Sequence, residues 1–410
     1  MTKRTFSLIL TLLASLPATA ATYHVSPSGD DAQNGSVGAP FKTLDKALTT
    51  LRGVTGEARE IILADGVHAF TQAQEITAAD SGTETHPLII RAQNEGQAEI
   101  SAGIPLTGLT WSVHSGNIMK ATIPAGLDLN AISGDGLWVS GTQAHLARYP
   151  NYDANAHYYK GTAADALSAA RVATWSNPAG GFIHALHHAE WGGNHWQITS
   201  KPTSSTVAYV GGWMNNRGGN IHATHRMVEN IFEELDAENE WFLNKETRTL
   251  YFYPPAGTNL ATSSFVLASQ EELIRVVGTS SSSPVSHVQI SGLKFTQTAR
   301  TFMQTDEPLL RSDWMIHRGG ALYLRFAEDC LIKDCEMTQL GGNAVFLDGY
   351  NRRITCTGFR MHQIGAGAFN AVGRTTAVWN PMYDPYGTPT PWASINKTSK
   401  GPKTDDYPAD

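Results

Sequence analysis

Sparse charge, surplus glycine and an apolar pattern repeated near the C-terminus predict an all-β chain wound as a right-handed parallel β-helix. Charged residues make up 16% of the 410 residues, against about 25% in an average soluble domain. Glycine, at 38 residues, exceeds its usual share of about 7%. This composition argues against a coiled coil or charge-rich disorder and favours short strands joined by many turns. The repeat is the strongest signal. Val288-Gln289-Ile290-Ser291-Gly292-Leu293-Lys294-Phe295 can be laid over Cys330-Leu331-Ile332-Lys333-Asp334-Cys335-Glu336-Met337, and both over Ile354-Thr355-Cys356-Thr357-Gly358-Phe359-Arg360-Met361. Alternation turns the first two apolar positions inward, then slips by one residue at Gly292, Asp334 or Gly358, where the chain rounds a corner. Second strands follow at 321–324, 344–347 and 368–372, each after glycines at the next corner. One such pass cannot bury its inward face alone and must stack on its neighbours.

The elements read in order from the N-terminus. Basic Lys3 and Arg4, an apolar run over 6–16 and the small-x-small site Ala18-Thr19-Ala20 predict a secretory signal peptide over 1–20. This implies a secreted or periplasmic bacterial product. A short strand at Tyr23-His24-Val25-Ser26 precedes a turn cluster holding Asp30, Asp31 and Asn34, which lacks the spacing of an EF-hand calcium loop. Phe41, Leu44, Ala47, Leu48 and Leu51 recur at helical spacing behind Thr43. They predict an amphipathic helix that caps the open end of the stack. The predicted N-terminal cap and first coils span 21–106. Residues 107–265 break the period, are dense in Trp and His, and predict an inserted β-rich domain. Within it, Gly211-Gly212-Trp213-Met214 reads as a strand and Trp241-Phe242-Leu243 with Leu250-Tyr251-Phe252 as a hairpin. Coils resume over 266–373, and 374–410 is a loop-rich segment.

The net charge is −7, so no basic field invites nucleic acid or an anionic membrane. No run of 18 apolar residues reads as a spanning helix. The three cysteines fall in the apolar columns, Cys330 with Val288 and Ile354, Cys335 with Leu293 and Phe359, Cys356 with Ile290 and Ile332. They read as small buried apolar residues. No zinc spacing occurs among them, and His184, His187, His188 and His195 match no zinc signature. No metal or cofactor is expected, and the chain is expected to be a monomer.

The opening Tyr-His-Val-Ser-Pro-Ser-Gly-Asp-Asp…Pro-Phe-Lys-Thr-Leu resembles the start of many secreted pectate-lyase-like proteins. Ala147-Arg148-Tyr149-Pro150-Asn151-Tyr152, the run Val228 to Asp236, and Glu240-Trp241-Phe242…Tyr251-Phe252-Tyr253-Pro254-Pro255 resemble the inserted domain of glycoside hydrolase family 141. The resemblance covers nearly all of the mature chain. It implies a carbohydrate-active enzyme, since α-L-fucosidase and xylanase are among the family's activities, and a polysaccharide or oligosaccharide substrate of plant or algal origin. Such relatives continue for several further coils, whereas the last recognisable one here ends near Gly373. The resemblance therefore implies a C-terminally truncated chain, with the family's acid/base carboxylates lying beyond Asp410.

A glycosidase needs two carboxyl groups flanking the scissile bond. Asp348, ending the strand 344–347, is the candidate on the outer face; Asp313 in an adjoining loop is weaker and reads better as a solvated turn residue. His317 and His362, at corners, are candidates for proton transfer or a sugar hydroxyl, with a histidine held by a backbone carbonyl as the structural alternative. Trp213, Trp379 and Tyr383 lie in Gly- or Pro-rich surroundings and offer faces to sugar rings. Arg148 lines the predicted groove or forms a salt bridge to Glu233 or Asp236. Asp405 is placed to fold over the groove. Two other functions stay open: a lyase acting on uronic-acid polymers, and a carbohydrate-binding β-helix without catalysis.

Overall fold

Where alternation slips at a fixed place in every pass, backbone direction must change there. Left-handed dihedrals supply the change. The computed structural model describes residues 20–214, 220–308, 314–380, 388–399 and 401–410; the expected signal segment over 1–19 lies outside them. Gly292, Asp334 and Gly358 all have positive φ, at 68°, 55° and 68°. So do two further columns in the same register, His287, Asp329 and Arg353, and Gln297, Gln339 and Gln363. Each non-glycine residue there accepts a conformation that costs about 1–2 kcal/mol. A Cβ on Gly358 would sit 2.2 Å from Asp334 Oδ1, so a larger residue there would require that side chain to move.

Between the corners, strands stack in parallel. One sheet runs Ala21–Val25, Arg59–Leu63, Leu88–Ala92, Val288–Ser291, Leu331–Lys333, Thr355–Thr357. A second runs Gly66–Ala69, Ala98–Ser101, Leu293–Thr296, Glu336–Leu340, Arg360–Ile364. A third runs Gln74–Thr77, Ile274–Val277, Leu322–Arg325, Val345–Asp348, Phe369–Val372. A short fourth sheet contains Val285–Ser286, Ala327–Glu328, Asn351–Arg352 and Pro408–Ala409. Register places Ile61, Ile90, Ile290, Ile332 and Cys356 in one column. His68, Ile100, Phe295, Met337 and Met361 form another, and Ile76, Val276, Leu324, Leu347 and Ala371 a third. The apolar members of these columns other than exposed Ala371 pack in and against one core. Cys330 and Cys335 are buried free thiols and Cys356 is half-buried; burial pushes the first two up to about 12 and Cys356 to about 11.

The helix Leu44–Leu51 buries Leu44, Ala47, Leu48 and Leu51, and Thr43 caps it by accepting from Lys46 N. Asp31 accepts from the backbone N–H groups of Lys42 and Thr43 at 2.8 and 2.9 Å, so the acidic cluster is a turn that delivers the chain into the helix. Its face joins the core with Phe41.

The expectation of a right-handed parallel β-helix as the fold class is corrected. The described strands distribute over seven sheets, and no single right-handed helix is formed. The chain leaves the parallel stack at Gly103–Leu106 and returns through Phe265–Ala268, two strands paired antiparallel. Between them lie a mixed eight-stranded sheet and an antiparallel five-stranded sheet, each with its own core. The reason is local. Hairpins such as Trp241↔Phe252 to Asn244↔Thr249 satisfy their hydrogen bonds within a pair and need no stacked neighbour. The fold is all-β, with several parallel sheets and, among the described residues, two α-helices, Leu44–Leu51 and Ala169–Thr174. The strand expected over 211–214 ends at Gly211. Among the described residues no helix is long and apolar enough to cross a membrane.

Two expected outcomes follow from this packing. Ile332→Ala, in the centre of a column, should cost about 2–5 kcal/mol, read as a lower urea midpoint, while exposed Thr355→Ala should change it little. Glu240 is buried, and its Oε2 accepts from Asp236 and Ala237 N–H at 3.1 and 3.2 Å. Burial raises its carboxyl to about 8. The folded chain then keeps a proton that the unfolded chain loses above about 4.5, so stability falls as pH rises from about 4.5 to about 8. Glu240→Gln should therefore raise the Tm more at pH 8 than at pH 5, measured by thermal melts at both.

Candidate functional site

Beside the third parallel sheet lies a cleft of about 380 Å³, lined by Thr301, Phe302, Gln304, His317, Asn343, Phe346 and Asn370 among others. His317 follows the short strand Met315–Ile316, which pairs antiparallel with Glu307–Pro308. That pairing brings Asp306 to the imidazole, and the segment ahead of Ile274–Val277 brings Glu271. His317 Nε2 meets Glu271 Oε2 at 2.9 Å, and Nδ1 meets Asp306 Oδ2 at 3.2 Å. Burial disfavours the charged ring, but hydrogen bonds and charge from Glu271 and Asp306 outweigh it, so its pKa rises above 6.5. Both carboxylates remain partly open to solvent, Glu271 at 29% and Asp306 at 48%. Asn343 donates to Gly319 O at 2.9 Å and accepts from Gly367 N at 2.8 Å, holding two neighbouring passes of the chain at the cleft wall. Asn370 Nδ2 is buried there without a protein partner. Trp213, 40% exposed, donates its indole N–H to Met303 O at 3.2 Å, beside cleft residues Phe302 and Gln304.

Asp348 does not stand on an open face. It is wholly buried, which corrects its reading as an outward-facing acid. Oδ1 accepts from Arg318 at 2.6 Å; Oδ2 accepts from Tyr323 OH at 2.5 Å, from Arg325 at 3.4 Å and from Arg374. Arg318 also pairs with buried Glu307 and donates to Gly373 O at 3.0 Å. A carboxylate so enclosed by donors and wholly buried is out of reach of a substrate. What it does is fix Arg318, next in sequence to His317, and through Glu307 the segment that carries Asp306.

The other sequence candidates lie apart. His362 is exposed on Arg360–Ile364 in the second sheet, bonded to Glu336 at 2.9 Å and Thr338 at 3.1 Å; it does not line the cleft, and its partners are side chains, not a carbonyl. Arg148 is buried and donates to Pro150 O, Tyr159 O and Gly161 O at 2.9, 2.9 and 3.2 Å. Neither the groove role nor the pairing to Glu233 or Asp236 holds; it clamps a loop. Trp379 is 39% exposed with Lys403 Nζ 6.0 Å from its ring centroid. Tyr383 and Asp313 lie outside the described residues. Asp405 is exposed, and its carbonyl accepts from Arg352 at 2.9 Å.

Sequence reasoning missed Glu271, Asp306 and Glu229. Glu229 Oε1 accepts from His184 Nε2 at 2.9 Å and from Arg300 at 2.6 Å, and His184 Nδ1 meets His195 Nδ1 at 2.7 Å. Burial would raise its pKa, yet Arg300 and His184 hold the carboxyl far below the usual range. Arg300 comes from the segment after the second sheet's Leu293–Thr296, so this ion pair ties the five-stranded sheet to the parallel stack. The histidine density of that region was the available signal; the partner glutamate, some 45 residues on, was not.

No family model matches the chain, and no curated protein matches it. Among solved structures it is similar to one described as a glycoside hydrolase, at 20% identity and a TM-score of 0.63, over 79% of this chain and 63% of that one. The chain thus spans somewhat under two thirds of that protein's length. It is more distantly similar to XylC in complex with xylose, at 11% identity, TM-score 0.38, over 84% and 57% of the two chains. A GH136 lacto-N-biosidase from Eubacterium ramulus matches at 11% identity, TM-score 0.31, over 84% and 42%. The first likeness establishes a fold shared with a glycoside hydrolase; the other two are too distant to carry weight.

Because Asp348 compensates several buried guanidinium groups, Asp348→Asn should destabilise the chain by about 3–5 kcal/mol. Denaturant melts check this, and an unchanged midpoint would contradict the anchoring role.

Proposed function

We propose that this chain is an exported carbohydrate-active enzyme, a glycoside hydrolase on plant or algal polysaccharide, working at the His317 cleft. The observation that carries this reading is one imidazole on the cleft wall, His317, held between two partly exposed carboxylates behind it. The shared fold with a glycoside hydrolase and the sequence resemblance to glycoside hydrolase family 141 support it. In this reading the His317 and Glu271 pair supplies a proton to the glycosidic oxygen as the bond from the anomeric carbon breaks. Asp306, the more open carboxylate, takes a proton from the water whose oxygen bonds to that carbon. Trp213 offers an apolar face at the rim, and Asn343, Asn370 and Gln304 offer hydroxyl partners.

The test is a screen of the full chain on neutral and uronic polysaccharides. Release of reducing sugar without an ultraviolet-absorbing unsaturated product is expected. His317→Gln and Asp306→Asn should each lower kcat by about 10²–10⁴. As the acid must be protonated and its pKa lies above 6.5, the alkaline limb of kcat/KM should fall above pH 6.5. An unsaturated product would instead identify a lyase, and undiminished turnover in His317→Gln would remove the proposed site.

A further inference from the structure

A second cavity, of about 530 Å³, lies where the mixed eight-stranded sheet and the antiparallel five-stranded sheet meet, a size ordinary for small-molecule sites. None of its lining residues lines the His317 cleft. Phe182 on its wall and Phe302 on the cleft wall meet edge-on at 5.0 Å, so two rings separate the two spaces.

Its chemistry is that of a receptor for hydroxyl groups. Glu233 Oε1 is fixed by Ser176 N–H at 2.7 Å, while Oε2 is buried with no partner. A buried acceptor left without a donor is costly, more so when charged, and a ligand that donates to it removes that cost. Asp135 also lines the cavity: its Oδ1 accepts from Ser133 OH at 2.6 Å, and burial raises this carboxyl above its usual value. Lys245 Nζ is already committed to Ile132 O at 2.7 Å. One wall is aromatic: Phe232 packs on Phe242 and Tyr251 with centroids 5.5 and 4.8 Å apart. Ring faces beside fixed acceptors suit the C–H face and hydroxyl edge of a pyranose. Glu233 and Glu246 disfavour an anionic sugar.

We propose that this cavity binds one neutral sugar ring, with Glu233 Oε2 accepting from a ring hydroxyl and Phe232 packing on its face. The inference goes beyond the hydrolase reading and does not require catalysis at His317. Saturation-transfer NMR and calorimetry on the full chain test it, with xylose, fucose and glucose as neutral probes, galacturonate as the anionic one and choline as a cation. Millimolar binding of at least one neutral sugar is expected. Glu233→Gln and Phe232→Ala should each weaken it at least about tenfold, with far-UV circular dichroism unchanged, while His317→Gln leaves it intact. Three results would overturn the site: no neutral sugar bound, tighter binding of galacturonate or choline, or affinity indifferent to Glu233→Gln and Phe232→Ala. Loss of binding in His317→Gln would place the sugar in the other cleft and overturn it equally.

Discussion

The parallel stack depends on keeping inward columns in register, because a one-residue slip would turn an apolar position outward. The left-handed corners enforce that register. Each comes at the same point of each pass, so Gly292, Asp334 and Gly358 close the first sheet and open the second with apolar side chains still facing in. The strained non-glycine corners are tolerated because burial on either side outweighs them: a fully buried Ile or Leu contributes about 1.5–3 kcal/mol. The cysteines belong to the same economy of space. Their thiols fill column positions, and their raised pKa values follow from that packing.

On this frame the site is assembled by buried ions. Asp348 gathers Arg318, Arg325 and Arg374 from separate passes. Glu229 joins Arg300 and His184 across the seam between the stack and the five-stranded sheet. Neither cluster is among the residues lining the cleft or the second cavity. Both hold backbone segments whose neighbours line the cleft: His317 beside Arg318, and Phe302 two residues after Arg300. Charge in the interior thus sets position, and charge at the cleft wall is left for chemistry. The two cavities sit back to back across one pair of rings, each with its own polar groups, so binding at one need not disturb the other.

Much of the parallel stack was legible because its signal is local and repeated. The column of Ile290, Ile332 and Cys356, the strands beginning near 322, 345 and 369, and the helix behind Thr43 all show in residue spacing. What misled was reading the stacked passes as one right-handed parallel β-helix, when the described strands distribute over seven sheets. The return of Phe265–Ala268 beside Gly103–Leu106 joins segments far apart in sequence, and no periodicity announces it.

The sequence by itself determined which side chains face inward in the stack, where the chain turns, and which carboxyl, imidazole and indole groups the chain carries. Only the tertiary structure decided which of them meet. Asp348 looked like an open acid because a strand-end aspartate usually is one. It is buried because three arginines from other passes converge on it, and a carboxylate enclosed by guanidinium groups is held by their charge. Glu271 and Asp306 carried no motif and became notable only when folding set His317 between them.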